Sequence, residues 1–536
     1  MTPGEEWLRW TASWKVAFAL ALAVAVLARG VTIVDALRGP EPTATAFEED
    51  AYYTFAVARN LAAGNGITAA HGEPTSGVQP LWTVLLVPAF AFFGDGRAAL
   101  TSIFLLSAVL WFAAARLFAD LMTRHTASCE ANLGGLAGPL CFIVFLCDPR
   151  LDRLFANGLE SGCYAVGLLW LWRWLDGGRA LDAQQGWRRC IAFGLFLGIL
   201  LLARNDAVLI VPFALVAVIL AYPDRRTLQR IVLITAVAAS IFSPWLIYNY
   251  RLTGSIMPQS GLATIGDAIA LDWLKVGAAT RAVLELTAPP LIPGNPRIPS
   301  WCLAACTVIL CAGFVRIYRR DAHAKSMARS SAWFAGGAAA LVVYYLLFSR
   351  ATWMYARYFM PVRLLALGAW TWLVLDTVAR LRARRASIVA AMLLTAVATS
   401  LVRAAYNLGS TPYMGNDLRL LISAGLCDGP ARVGMFDSGR SAYRCAPYVI
   451  NLDGKASLTA LKAAADRRLL AHLAAFRIDR LYLRDDYVIW FDKMYPDWRR
   501  EFTIVSAAHG RAIFARVDPE RDVGDRPAGA RQPDGQ

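Results

Sequence analysis

The chain carries little charge for its length: Asp, Glu, Lys and Arg make up 17% of its 536 residues, where soluble domains carry about a quarter. With 57% hydrophobic residues and a mean hydropathy of +0.44, an ordinary soluble protein is excluded. A Gly-rich phosphate loop and a nucleotide-type Asp-x-Asp are both missing, so no motif suits a free nucleotide. There is no internal repeat of the kind that many transporters carry. The net charge of +15 does not point to nucleic acid, because the basic residues fall in separate loops rather than on one soluble surface.

What is there instead is a series of apolar runs, and roughly 20 such residues cross a bilayer core of ~30 Å. The sequence predicts about eleven crossings, over Trp14 to Val34, Ala98 to Met122, Leu133 to Cys147, Leu159 to Leu175, Cys190 to Ala203, Ala207 to Tyr222, Ile231 to Tyr248, Trp301 to Tyr318, Trp333 to Phe348, Phe359 to Leu375 and Ile388 to Arg403. Trp14 to Val34 has no clear cleavage site after it and is expected to remain as an anchor. Four loops, containing Arg173 to Arg189, Arg225 to Arg230, Arg316 to Arg329 and Arg380 to Arg385, are placed in the cytoplasm by the positive-inside rule. The stretch from Asn249 to Ser300 then faces outward, as does everything after Arg403. Leu81 to Phe93 is short and holds Pro88. Counting it as a crossing would reverse every later loop, so it is expected to lie at the outer surface.

Beyond Gly409 the charges rise and the apolar runs shorten. Segments Arg432 to Phe436, Tyr448 to Leu452, Arg480 to Leu483 and Ala512 to Ala515 read as strands, and Leu458 to Phe476 as an amphipathic helix. The expected fold class is therefore mainly α and polytopic, with a membrane unit over 1–408, an outer acidic loop at 38–97, and a small extracytoplasmic α/β domain over 409–518. A tail at 519–536, rich in Pro, Gly, Arg and Asp, is expected to be disordered. Cys141, Cys147, Cys163, Cys302, Cys306 and Cys311 lie in or beside spans, where small apolar packing explains them. Cys302 and Cys306 share a helix face, but no His lies near enough to suggest zinc. Cys427 and Cys445 fall in the outward part, where an oxidising compartment permits a disulfide across the first strand.

The first outer loop carries Phe47-Glu48-Glu49-Asp50-Ala51-Tyr52-Tyr53, three acids that bilayer crossing does not require. Tyr53, Val57 and Leu61 recur at helical spacing, and Gly64 with Asn65-Gly66 closes the segment. Acids at a helix N-terminus are favoured by its dipole, and capping alone would account for them. With Ala58-Arg59-Asn60-Leu61 and Gly77-Val78-Gln79-Pro80-Leu81-Trp82, however, the loop resembles the first outside loop of the GT-C superfamily. These are integral-membrane glycosyltransferases that use polyprenyl-phosphate sugars; protein O-mannosyltransferases, aminoarabinose transferases and bacterial arabinofuranosyltransferases belong to it. Relatives often carry Asp-Asp or Asp-Glu where this chain has Glu49-Asp50, and His where it has Gln79.

The resemblance implies transfer of a sugar from a polyprenyl-phosphate donor to an extracytoplasmic glycan, lipid or protein acceptor at a bacterial inner membrane. Asp50 or Glu49 would supply the base, Asp50 being favoured because its shorter side chain is more rigidly placed. Arg357, Tyr358 and Arg251 would hold the donor phosphate, and Glu160, Arg204, Asp206, Gln79 and Trp82 would line the cavity. Each has a structural alternative: Arg357 as a snorkelling interfacial residue, Arg204 and Asp206 as a mutual pair, Glu160 as a helix-start acid. No metal-ligand set is assigned, and a divalent cation is left open. The competing classes are a transporter or flippase for a lipid-linked sugar, with the acids as an ion site, and a membrane scaffold without catalysis.

Overall fold

Helices that are apolar all round have no face to turn to water, and the long helices of this protein are of that kind. The computed structural model describes residues 19, 21–27, 29–31, 47–69, 73–125, 137–176, 186–264, 272–290, 298–320, 322–381, 385–409, 415–445, 448–508 and 510–517. The first expected span lies only partly within these, and the tail expected to be disordered lies outside them. Among the described residues, Arg97–His125, Arg225–Thr253, Ser300–Arg320, Ala324–Phe348 and Met360–Arg380 are long and apolar enough to cross a membrane. Pro80–Phe93, Ala137–Leu146, Asn205–Ala221 and Ser387–Val402 are apolar but shorter. Helices Ser161–Asp176 and Trp187–Ala203 complete the bundle. Leu105, Val109, Leu220, Val232 and Val308 stay exposed on its outside, while Trp111, Tyr164, Trp172 and Trp372 fill its interior. This is a multi-pass membrane protein with its apolar exterior toward lipid.

Close helix contact depends on small residues where packing, not the hydrophobic effect, drives association. A Cβ on Gly194 would stand 2.8 Å from Ile234 O, and one on Gly198 3.0 Å from Ala238 O. Helices Trp187–Ala203 and Arg225–Thr253 thus meet backbone to backbone. Deeper in, Asp148 caps helix Pro149–Ala156 by accepting from Arg150 N at 3.2 Å and Leu151 N at 3.0 Å. It also pairs with Arg363, both side chains being fully buried. Arg363 spends its remaining donors on Leu286 O at 2.8 Å and Ala288 O at 2.6 Å. The stretch after Asn249 contains two helices that its sequence did not suggest, Gln259–Thr264 and Trp273–Thr287.

The C-terminal domain is built on a five-stranded sheet in the order β2-β1-β3-β5-β4. Its strands are β1 (Val433–Met435), β2 (Val449–Asn451), β3 (Arg480–Arg484), β4 (Phe502–Ala508) and β5 (Arg511–Arg516). β1 lies parallel to both β2 and β3, whereas β5 runs antiparallel to β3 and β4. Cys427 and Cys445 form a disulfide, but not through a hairpin-like closure. Cys445 follows helix Gly439–Arg444, the crossover that lets β1 and β2 run parallel. β4 is an addition to the expected strands. The single expected helix over 458–476 is two, Leu458–Ala465 and Leu469–Ala475, because Arg467 between them takes a left-handed φ of 56° that no helix continues.

Helix Glu49–Ala62 lies against this domain. Tyr52, Phe55 and Phe90 surround Tyr443 at ring separations of 5.5, 6.4 and 6.4 Å. Two glycines let the backbones touch: a Cβ on Gly439 would fall 2.2 Å from Glu49 O, and one on Gly77 1.8 Å from Lys455 O. Both flanks of helix Pro80–Phe93 meet the same domain, since beyond its far end Asp95 O accepts from Tyr443 OH at 3.1 Å.

Candidate active site

Two neighbouring acids at the start of helix Glu49–Ala62 point into different surroundings. Glu49 is buried, and its Oε1 accepts from Arg440 N at 2.6 Å. Burial pushes its carboxyl from 4.5 up to about 8, against the charge and N–H of Arg440. Arg440 itself turns its guanidinium to Phe47 O at 2.9 Å and over the Tyr52 ring. Glu49 is thereby a neutral seam residue near pH 7.

Asp50 keeps about one-fifth of its side chain exposed; its Oδ2 lies 3.3 Å from Arg357 Nη1 and its Oδ1 3.5 Å from Lys455 Nζ. Burial would raise its carboxyl, but the Lys455 ammonium and the Arg357 guanidinium outweigh it and hold Asp50 below the usual carboxylate range. Arg357 does not snorkel; its side chain is 19% exposed and turned to Asp50. Asp50 is therefore an ionised carboxylate between two cations, Arg357 of the helical body and Lys455 of the C-terminal domain.

The other residues singled out in the sequence, apart from Arg251, continue from this point. The Tyr358 ring lies between two guanidinium groups, 5.2 Å from that of Arg357 and 5.4 Å from that of Arg204. Arg204 pairs with Asp206 at 2.5 Å and lies 3.8 Å from Glu160, so the mutual pairing is present but shared with a third group. Tyr345 stacks on Tyr358 at 4.1 Å and donates to Asp206 Oδ2 at 2.9 Å. Gln79 Oε1 accepts from Asn205 N at 3.4 Å, and Trp82 Nε1 donates to Gly158 O at 2.8 Å. These two bonds fix the outer loop against the turns that carry Arg204 and Glu160. Arg251 sits exposed in the last turn of Arg225–Thr253, with no contact to the others among the described residues.

Four residues of the C-terminal domain at this site had not been singled out. Asp437, Asp453 and Lys455 follow the carboxyl ends of β1 and β2, and Arg484 ends β3; beyond the carboxyl ends of parallel strands is where α/β sheets place ligand-binding groups. Lys455 Nζ lies 2.8 Å from Asp437 Oδ1 and 3.8 Å from Asp453 Oδ2. Asp437 is held in turn by Tyr487 OH at 2.8 Å and Arg484 at 3.3 Å. The available signal was the polar clusters Asp437-Ser438-Gly439 and Asp453-Gly454-Lys455, placed directly after two expected strands. Among the described residues no group of three or more His, Cys, Asp or Glu is arranged to hold a metal ion.

A helical membrane body with an acidic pair at the start of helix Glu49–Ala62, closed over by a small α/β domain, is a fold found in solved structures. The solved structures that share it include ArnT from Cupriavidus metallidurans, bound to undecaprenyl phosphate and in the apo state. Both are 13% identical and cover 95% of this chain and 98% of their own, at TM-scores of 0.56 and 0.55. The oligosaccharyltransferase of Archaeoglobus fulgidus in its apo form is also similar, at a TM-score of 0.55 and 13% identity over 89% of this chain and 71% of that one. No family model matches the sequence, and no curated protein does.

Proposed function

We propose that the protein is a glycosyltransferase that moves a sugar from a polyprenyl-phosphate donor to a hydroxyl-bearing acceptor on the extracytoplasmic side of a bacterial inner membrane. The observation that carries this reading is Asp50, an ionised carboxylate on the outer-loop helix with Arg357 against one of its oxygens. Asp50 takes the proton of the acceptor hydroxyl as that oxygen attacks the anomeric carbon. The bond from the anomeric carbon to the phosphate oxygen breaks, a glycosidic bond forms, and polyprenyl phosphate leaves with the electron pair. Arg357 suits the phosphate because its planar fork matches two oxygens at once. Glu160, Arg204, Asp206, Tyr358, Gln79 and Trp82 form the wall beside it, and Glu49 seats the C-terminal domain rather than acting on substrate. The likeness to a structure of ArnT bound to undecaprenyl phosphate supports a donor of that chemistry. The sugar, a hexose or a pentose, is to be read from cell-envelope glycans of a deletion strain by mass spectrometry. Reconstituted protein with an undecaprenyl-phosphate sugar should transfer, and Asp50→Asn should not. Movement of lipid-linked sugar across the bilayer by both proteins, without transfer by either, would replace this reading with a transporter.

A further inference from the structure

The donor-phosphate site described so far has one cation, Arg357, from the membrane body. We propose that Lys455 of the C-terminal domain is its second phosphate ligand, so that the donor is gripped from both the helical body and the C-terminal domain and its arrival releases Asp50 to act as base. The inference rests on the glycosyl-transfer reading and adds a residue and a trigger to it.

The geometry is specific. Arg357 and Lys455 stand on different oxygens of one carboxylate, 3.3 and 3.5 Å away. Both separations exceed the roughly 2.7 to 2.9 Å of a tight charge-assisted bond. Lys455 does make one tight contact, to Asp437 at 2.8 Å, so the looseness toward Asp50 is local. A phosphate offers two oxygens to two donors as a carboxylate does, and cations spaced for Asp50 are spaced for it. Arg357 keeps its Nε buried with no hydrogen-bond partner among the described residues, so its guanidinium is not saturated by the protein.

The domain is built to present this ammonium. Asp437 takes a φ of +45°, a left-handed conformation that Asp adopts more readily than most residues. There it is held by Tyr487 and Arg484 and accepts from the Lys455 ammonium. Gly77 lets the outer loop approach Lys455 O to a distance that no side chain would permit. Lys455 is thus aimed by its own domain and kept at Asp50 by the loop. Once a phosphate takes both cations, Asp50 loses the partners that lower its proton affinity and gains a neighbouring negative charge, both of which make it a better base. The charges that face Asp50 are Lys455, Arg357 and Asp437; its helix neighbour Glu49 is neutral.

The test uses the full chain in nanodiscs with undecaprenyl phosphate as the binding probe. Lys455→Met combined with Asp437→Asn removes the ammonium together with the acid it meets most tightly, leaves Asp50 with Arg357, and should weaken probe binding by about 10-fold or more. Lys455→Arg should restore most of it. In the active protein the acidic limb of kcat should lie at higher pH than that of kcat/KM, because the former reports the donor complex. In the double variant the two limbs should converge. Wild-type probe affinity in the double variant, with Arg357→Gln still impaired and Asp50→Asn inactive, would overturn the role of Lys455 and leave the transferase reading standing. Full transfer by Asp50→Asn would overturn that reading itself.

Discussion

Two buried ion pairs of this protein use the same chemistry and end differently. In the bundle, Arg363 and Asp148 are fully enclosed, and both are saturated by a helix N-terminus and two carbonyl oxygens. At the head of helix Glu49–Ala62, Arg357 and Asp50 are each about one-fifth exposed, their contact is longer, and Arg357 Nε is unmatched. A saturated pair can only hold structure, since any substrate would have to break it and leave a buried charge behind. An unsaturated, partly exposed pair can exchange its partner for a ligand. On the proposed reading, that difference separates a structural arginine from one that meets substrate.

Four measurements would break or sharpen this contrast. The largest effect should come from Asp50→Asn, with transfer from a polyprenyl-phosphate sugar falling ~10²- to 10⁴-fold while the melting temperature stays put; wild-type turnover would remove Asp50 as base. Next comes the bundle: Arg363→Gln should cost ~3 to 5 kcal/mol by leaving Asp148 buried alone, seen as lost folded protein in a detergent melt. A stable Arg363→Gln would mean that the saturated pair holds nothing. Arg357→Gln should reverse that pattern, leaving the melt nearly unchanged but weakening donor affinity, since a bond to a charged group is worth about 1.5 to 3 kcal/mol. Equal losses of stability in both variants would erase the distinction.

The smallest effect concerns Glu49. Its carboxyl is raised from 4.5 to about 8 in the folded protein, so folding favours the protonated form. That contribution is complete below the unfolded value and is lost as pH rises through about 8. Seating of the C-terminal domain should therefore loosen on the alkaline side, as faster hydrogen exchange over Ser438 to Tyr443. Glu49→Gln keeps a neutral acceptor for Arg440 N and should flatten the dependence. An unchanged slope in that variant would assign the effect to another group.

The membrane body and the acidic loop were legible because hydrophobic length and a cluster of acids are local properties. So were β1, β2, β3 and β5, whose residues alternate or run apolar between turn signals. β4 was missed although Phe502-Thr503-Ile504-Val505 favours a strand; its second half, Ser506-Ala507-Ala508, carries little such preference and is held by pairing with β5. The break at Arg467 was hidden because the apolar period continues through it. Within the site, Asp50 and Arg357 were visible as residue types in the right loops, while Lys455 was not. Nothing near Asp453-Gly454-Lys455 says that it will meet a helix some 400 residues earlier; only the close approach at Gly77 makes that contact. Arg251 shows the converse error, a suitable residue in a suitable loop that stays outside the network.

The Gly439 contact also has a meaning in time. The N–H that seals Glu49 belongs to a residue 391 positions later, and ribosomes add roughly 5 to 20 residues per second. The helix that carries Glu49 and Asp50 is therefore made on the order of a minute or less before the domain that closes over it. A nascent chain carries the acidic pair uncovered, and the last quarter of the message decides whether Glu49 is ever sealed.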